Sequence, residues 1–161
     1  MPYYPPLRSI KEQNERKRTI ENLLELKEIL KNEIPVKTTD KNILIATWNI
    51  REFDSDAYGK RSEETMYYIT EIIDKFDLVA IQEVRDNLEA LDKLMRYLGK
   101  WWDCVFTDVT EGSRGNYERL AFVYDTRKIS FTGLAGEIVI PPELTKDANG
   151  NKIYAPAEQF Y

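Results

Sequence analysis

The fold follows from the stretch Leu78-Val79-Ala80-Ile81-Gln82-Glu83-Val84. Four apolar residues in succession predict a strand that is covered on both faces. Polar Gln82 and acidic Glu83 then mark the place where the strand ends. A second run of the same kind, Ile43-Leu44-Ile45-Ala46-Thr47-Trp48, ends at Asn49. Buried strands that alternate with helical segments are typical of an α/β protein with parallel strands.

Helical and strand patterns alternate on both sides of these two runs. Apolar residues at helical spacing predict helices over residues 9–32, 62–75 and 87–98, with Ser62 and Asn87 as caps and Gly99 as the last terminator. Further strands are expected over residues 102–108, 120–124 and 129–140. Residues 1–7 are expected to be loose, and residues 50–59 to form a loop. The resulting order α-β-α-β-α-β-β-β indicates a layered α/β sheet.

Composition fits one globular domain and excludes some classes of function. The 161 residues carry a net charge of −5, which argues against passive electrostatic binding to nucleic acid. A single cysteine, Cys104, excludes an internal disulfide and a zinc site built from thiolates. No apolar run approaches membrane-spanning length and no signal-peptide core is visible, so we expect no membrane association and a cytoplasmic location.

Two polar residues end the two buried strands. Because a βα unit places successive parallel strands side by side, Asn49 and Glu83 are expected to be neighbours. A carboxylate at the mouth of a sheet suits Mg²⁺, which takes oxygen ligands and often only one or two protein carboxylates. The alternatives are a rim salt bridge from Glu83 to Arg85 or Arg51, and a cap or turn role for Asn49.

A second acid, Glu118, precedes the strand expected over residues 120–124. A carboxylate there can orient a general acid or base, although the chain contains no histidine. The alternative is a strand-edge acid paired with Arg119 or Arg114. Five flanking residues have side chains suited to a phosphodiester and its sugar or base: Arg51, Arg85, Arg114, Arg119 and Tyr117. The alternative is surface charge for the arginines and rim or core packing for the tyrosine.

Three segments together resemble the endonuclease/exonuclease/phosphatase superfamily, and within it the deoxyribonuclease I type. The resemblance extends over about residues 41–140, and the three motifs occur in the family's order. The segments are Trp48-Asn49-Ile50-Arg51-Glu52-Phe53, Asp77-Leu78-Val79-Ala80-Ile81-Gln82-Glu83-Val84-Arg85-Asp86 and Glu118-Arg119-Leu120-Ala121-Phe122-Val123-Tyr124.

This resemblance implies roles for the residues at the strand ends. Glu83 would be the principal ligand of Mg²⁺, with Mn²⁺ as a possible substitute, and Asn49 would help to bind the metal and the scissile phosphate. Glu118 would orient a catalytic histidine. Contacts with a nucleic-acid substrate, DNA in the family's type, would come from Arg51, Arg85, Arg114 and Tyr117. Tyr117 is displaced by one position from the family's tyrosine, and such a shift changes the face of a strand.

The resemblance also implies that part of a site is missing. The family fold is a sandwich of two packed sheets, and its second half supplies the histidine. We therefore expect residues 1–40 to form an N-terminal helical extension and residues 41–161 to form the first half of an α/β sandwich. Such a chain would be nearly inactive alone. It would associate with a complementing C-terminal half, or with itself, through the apolar face of its sheet.

The expected function is metal-dependent hydrolysis of phosphodiester bonds in nucleic acid by the complete enzyme. Two alternatives stand beside it. The same superfamily includes phosphatases and phospholipid phosphodiesterases. A non-catalytic interaction module would also be consistent with the amphipathic N-terminal helix and the absence of histidine.

Overall fold

Four strands form one mixed sheet in the described part of the computed structural model, which comprises residues 2–53, 59–108, 118–133 and 147–151. The strand order is β1-β2-β4-β3; β1 and β2 are parallel, and β4 is antiparallel to both of its neighbours. The strands are β1 (Ile45–Phe53), β2 (Leu78–Arg85), β3 (Trp102–Phe106) and β4 (Glu118–Asp125).

Three α-helices accompany this sheet within the described ranges, so the predicted mixed α/β class is confirmed. They are α1 (Gln13–Glu33), α2 (Glu63–Ile73) and α3 (Glu89–Leu98), and a 3-10 helix (Pro5–Ser9) precedes them. The predicted Ser62 cap is confirmed, because its Oγ accepts a 3.1 Å hydrogen bond from the backbone N–H of Thr65. None of the helices in these ranges combines the length and apolarity needed to cross a bilayer.

The helices cover one face of the sheet. Strand pairing places Val79 beside Val123 and Ile81 beside Ala121, and all four side chains are buried against the helices in the main hydrophobic core. Alternate residues point away from the helices, and among them Ile45 is 63% exposed. The prediction that β1 is covered on both faces is therefore wrong at Ile45.

Two predicted boundaries are corrected. β1 continues to Phe53, into the predicted loop 50–59, because Ile50 and Phe53 are 5% and 1% exposed and belong to the core. Residues 129–133 of the predicted strand 129–140 are not strand, since the backbone N–H groups of Lys128 and Ile129 bond to the carbonyl of Asp125 and continue a turn. Residues 134–140 lie outside the described part of the chain.

The N-terminal segment is packed against the helices, which corrects the prediction that residues 1–7 are loose. The Tyr4 ring stacks on Tyr67, whose ring in turn lies 4.6 Å from that of Tyr97. The backbone N–H of Tyr3 donates to the carbonyl of Tyr97, and the Tyr4 hydroxyl donates to the buried carboxylate of Glu71. Burial raises the pKa of Tyr67 to about 12, and it also raises the pKa of Tyr4 and Tyr97. These hydroxyls therefore stay protonated near neutral pH.

A lysine ammonium joins the segment after α1 to the sheet. Lys128 Nζ donates to the carbonyls of Thr38 and Asn42 at 2.6 Å, and to Oδ2 of Asp77 at 2.7 Å. The Lys128 side chain is only 8% exposed, and that of Asp77 is fully buried. Burial alone would raise the pKa of Asp77, but bonds from Lys128 and the Leu44 backbone outweigh it, and the pKa lies below its usual value.

A second buried carboxylate lies beside this contact, at the end of β4. Asp125 is 1% exposed, and its Oδ2 lies 2.7 Å from Nζ of Lys37. Its Oδ1 accepts from Nε of Arg127 at 2.8 Å. Burial again opposes ionisation, yet the hydrogen bonds from Arg127 and Lys37 hold the pKa of Asp125 well below its usual range. Asp77 and Asp125 therefore stabilise the fold as anions.

Candidate functional site

Strand direction brings three predicted site residues to one edge of the sheet. The parallel strands β1 and β2 both run toward this edge. Glu83 lies two residues before the end of β2, but Asn49 lies at the middle of β1, four residues before its end, so the prediction that β1 ends at Asn49 is wrong. β4 runs in the opposite direction, so its first residue, Glu118, reaches the same edge opposite Arg85. The three side chains line a single cavity of about 140 Å³, whose wall also includes Gln82, Arg119 and Leu120.

The closest described contact in this cavity joins the two parallel strands. Nδ2 of Asn49 donates a 2.6 Å hydrogen bond to Oε1 of Glu83, so the predicted proximity of these residues is confirmed. Because Asn49 uses its N–H₂ group toward Glu83, its carbonyl oxygen remains as the acceptor end of the same amide. The pair presents two types of oxygen, one carboxylate and one amide, from adjacent strands.

Glu83 lies at a β-bulge and has an uncommon backbone conformation. Its φ is +60°, in the left-handed region, and the pairing of β2 with β4 shifts between Ile81 and Val84. Three residue steps on β2 face two steps on β4, from Ala121 to Arg119, so β2 contains one extra residue here. A left-handed conformation costs a non-glycine residue roughly 1–2 kcal/mol. Bulges of this kind often change the direction of a side chain at a functional site. The sequence pattern did not predict the bulge at Glu83.

Glu118 has an arginine neighbour across the strands. Its Oε1 lies 3.6 Å from Nη1 of Arg85, and both side chains are largely buried. The sequence had suggested Arg119 or Arg114 as the partner. The guanidinium of Arg119 instead donates to the carbonyl of Thr107 at 3.0 Å, on the far side of β4 from β2. The described pair therefore places one positive charge beside the second carboxylate of the cavity.

The remaining predicted substrate contacts are only partly described. Arg51 lies two residues beyond Asn49 on β1 and is exposed, and its carbonyl accepts a 2.7 Å hydrogen bond from Arg61. Arg85 lies near the cavity through its contact with Glu118. Arg114 and Tyr117 lie outside the described residues.

The donor set at the cavity fits a hard cation. Glu83 and Glu118 offer carboxylates and Asn49 an amide oxygen, and Mg²⁺ is usually held by one or two carboxylates with water in its other positions. No group of three or more histidine, cysteine, aspartate or glutamate residues that could hold a metal occurs among the described residues.

Two lining residues were not predicted as part of the site. Gln82 and Leu120 both line the cavity: Gln82 lies near the end of β2, and Leu120 lies near the beginning of β4. Gln82 was visible in the sequence as the first polar residue after an apolar run. Leu120 carried no such signal, because an apolar residue near the start of a strand is indistinguishable from core.

Comparison of the sequence with protein-family models gives no match, and comparison with curated proteins gives none either.

Proposed function

We propose that this chain supplies the cation-binding part of a Mg²⁺-dependent phosphodiesterase site that acts on nucleic acid. The observation that supports the proposal best is the hydrogen bond from Asn49 to Glu83 at the mouth of the sheet, with Glu118 in the same cavity. The wider fold that we propose is a two-sheet sandwich of the deoxyribonuclease I type. A second sheet would cover the face that exposes Ile45.

Each residue of the cavity has a chemical task under this proposal. The carboxylate of Glu83 and the carbonyl of Asn49 would hold the cation, with the bulge fixing the direction of the Glu83 side chain. When bound, Mg²⁺ stabilises the negative charge that develops on the phosphate. The guanidinium of Arg85, beside Glu118, would donate to a phosphate oxygen, for which its planar fork of N–H groups is suited.

Proton transfer needs a group that these residues do not supply. The chain contains no histidine, so Glu118 would orient an imidazole that a complementing polypeptide segment contributes. The 161-residue chain would then bind the cation and phosphate but turn over slowly. Because the catalytic imidazole would come from another segment, the proposal for this chain is tested by measuring cation binding rather than cleavage.

The size of the cavity suits one phosphate group of a substrate whose remaining part lies outside. Its volume of about 140 Å³ lies below the roughly 300–1,000 Å³ of pockets that enclose whole small ligands. One phosphate group would occupy it, and the rest of the substrate would lie on the surface near exposed Arg51. Nucleic acid meets this description. A phospholipid headgroup or a phosphomonoester remains the alternative within the same superfamily.

Paramagnetic Mn²⁺ locates the cation directly. In amide spectra of the labelled chain, Mn²⁺ should broaden the signals of Asn49, Gln82 and Glu83 first, and excess Mg²⁺ should reverse the effect. Glu83→Gln should remove this local broadening, whereas Glu28→Gln, at an exposed position on α1, should leave it unchanged. Broadening at the same signals in the Glu83→Gln variant would exclude Glu83 as the cation ligand.

Cleavage assays then separate the functional alternatives. With plasmid DNA and Mg²⁺ the chain should show at most trace activity, and robust cleavage that Glu83→Ala abolishes would show that no complementing segment is needed. A panel of DNA, RNA, phosphoinositide, sphingomyelin and phosphomonoester, offered to the complemented protein, identifies the substrate. An interaction module would show neither cleavage nor the localised Mn²⁺ effect.

A further inference from the structure

A second and larger pocket lies away from the Asn49–Glu83 cavity, between the segment leading into α2 and one side of α3. Its volume is about 370 Å³, within the range of pockets that hold small organic ligands. Four basic side chains line it, and we call them the basic cluster: Lys60, Arg61, Lys93 and Arg96.

The charge of this pocket is opposite to that of the whole chain. The basic cluster shares the lining with Glu89 and Asp92, and Lys93 also contacts Glu63, which leaves a local excess of one positive charge in a chain with a net charge of −5. Charges of one sign gathered around a concave, low-dielectric wall focus the electric field and concentrate counter-ions there. The pocket is therefore suited to an anion.

Contacts with neighbouring residues orient three members of the basic cluster, Arg61 and Lys93 more firmly than Lys60, whose side chain is 77% exposed. Nη2 of Arg61 donates to the carbonyl of Arg51 at 2.7 Å, and Nζ of Lys60 lies 2.8 Å from the carboxylate of Glu89. Lys93 donates to Glu63 at 2.5 Å, with one of the three N–H groups of its ammonium. Side chains that are already ordered lose less conformational entropy when a ligand binds.

The pocket is larger than a phosphate ion needs. Met66 and Ala90 belong to its floor, but they are only 1% and 3% exposed and offer little surface to a ligand. A bare phosphate ion would leave much of the volume of about 370 Å³ unused. A ligand with a phosphate at one end and an organic body at the other fills more of it, with the phosphate against the basic cluster.

We propose that this pocket binds a phosphomonoester of about nucleotide size. The inference goes beyond the proposed function, because it uses none of the residues of the Asn49–Glu83 cavity and requires no bound cation. Two sources share this chemistry: a free mononucleotide, and the terminal phosphate of a nucleic-acid strand.

Calorimetric titration of the full chain with adenosine monophosphate tests the proposal. The nucleotide should bind, and adenosine, which lacks the phosphate, should bind at least tenfold more weakly. The variant Lys60→Gln/Arg96→Gln should also lose at least tenfold in affinity; both side chains are exposed, so the fold should tolerate the change, which thermal melting verifies. The matched control Lys17→Gln/Lys31→Gln removes two exposed charges from α1 and should bind like the unmodified chain.

Three results would overturn the proposal: no binding of adenosine monophosphate, equal binding of adenosine, or equal losses in the two double variants. Glu83→Gln should bind the nucleotide normally, so failure of the cation site and failure of this pocket are distinguishable. A dinucleotide with and without a 5′-phosphate separates the two sources. If the phosphorylated dinucleotide binds as tightly as the mononucleotide, the ligand is the end of a nucleic-acid strand. If the mononucleotide binds more tightly, the ligand is a free mononucleotide.

Discussion

The amide of Asn49, at the middle of β1, donates a 2.6 Å hydrogen bond to the carboxylate of Glu83, near the end of the parallel strand β2. This contact makes β1 sensitive to the charge at position 83. If a cation binds here, it should change the free energy of unfolding, and this change can be measured without knowledge of the substrate.

Replacing Asn49 with aspartate should make folding dependent on divalent cations. The variant loses the hydrogen bond and places a second carboxylate beside Glu83, which should lower the free energy of unfolding by about 1 kcal/mol at this exposed position. Millimolar Mg²⁺ should restore that loss by binding between the two carboxylates. Urea unfolding with and without Mg²⁺ measures both effects.

Asn49→Ala is the matched control for this experiment. It removes the same hydrogen bond but adds no charge, so its stability should respond to Mg²⁺ no more than that of the unmodified chain. If Mg²⁺ stabilised the alanine variant as strongly as the aspartate variant, the cation would not bind at Asn49.

Substitutions at Glu83 should separate backbone strain from side-chain chemistry. Glu83→Gly and Glu83→Ala both lose the carboxylate and the hydrogen bond from Asn49, so both should abolish the Mn²⁺ effect. Only glycine adopts a φ of +60° without steric cost, so the glycine variant should be more stable than the alanine variant by roughly 1 kcal/mol. Thermal melting of the two variants provides the comparison, and a glycine variant less stable than the alanine variant would contradict the strain argument.

Acid should destabilise the fold through Asp77 and Asp125. The pKa of each carboxyl is lowered in the folded protein, so their stabilisation is fully present above the unfolded value of about 3.9 and is lost as pH falls through the lower folded values. Urea unfolding at a series of pH values from 7 to 2 should show this decline. Lys37→Gln, which removes a cation close to both carboxylates, should reduce stability at pH 7 and flatten the profile.

The exposed acid Asp40 provides the comparison for the pH series. Asp40→Asn should leave both the stability at pH 7 and the shape of the profile unchanged. A profile equally steep in Lys37→Gln and in the unmodified chain would mean that other carboxylates cause the acid sensitivity.

Removal of one hydroxyl should loosen the N-terminal segment. Tyr4→Phe keeps the ring on Tyr67 but leaves the carboxylate of Glu71, which is 2% exposed, without the hydroxyl that donates to it. We expect a loss of about 1–3 kcal/mol in the free energy of unfolding. Tyr3→Phe, at a residue that is 54% exposed, should change stability by less than about 0.5 kcal/mol. Similar losses in the two variants would contradict a specific role for the Tyr4 hydroxyl.

The sequence predicted those parts of the fold that depend on local pattern. The cap at Ser62, the end of α3 at Gly99 and the strand at residues 78–84 agree with the structure, because each follows from side-chain chemistry within a few residues. The proximity of Asn49 and Glu83 was also predictable, since parallel strands joined by a helix lie side by side.

What the sequence did not predict depends on contacts between distant residues. The left-handed conformation of Glu83 results from pairing with β4, which begins 35 residues later. The N-terminal tyrosines lie in a Pro-rich segment that the sequence predicted to be loose, and only the position of Tyr67 and Tyr97 shows why they are ordered. The basic cluster likewise combines residues about 30 positions apart in sequence, such as Lys60 and Lys93.

The ammonium of Lys128 has a practical consequence for anyone who shortens this protein. The boundary expected between residues 40 and 41 falls between Thr38 and Asn42, whose carbonyls both accept from that ammonium. A version that starts at residue 41 would keep the lysine and lose one of these acceptors together with Lys37, the neighbour of Asp125. Deletion series should therefore begin no later than residue 36, even when the helix before it is dispensable.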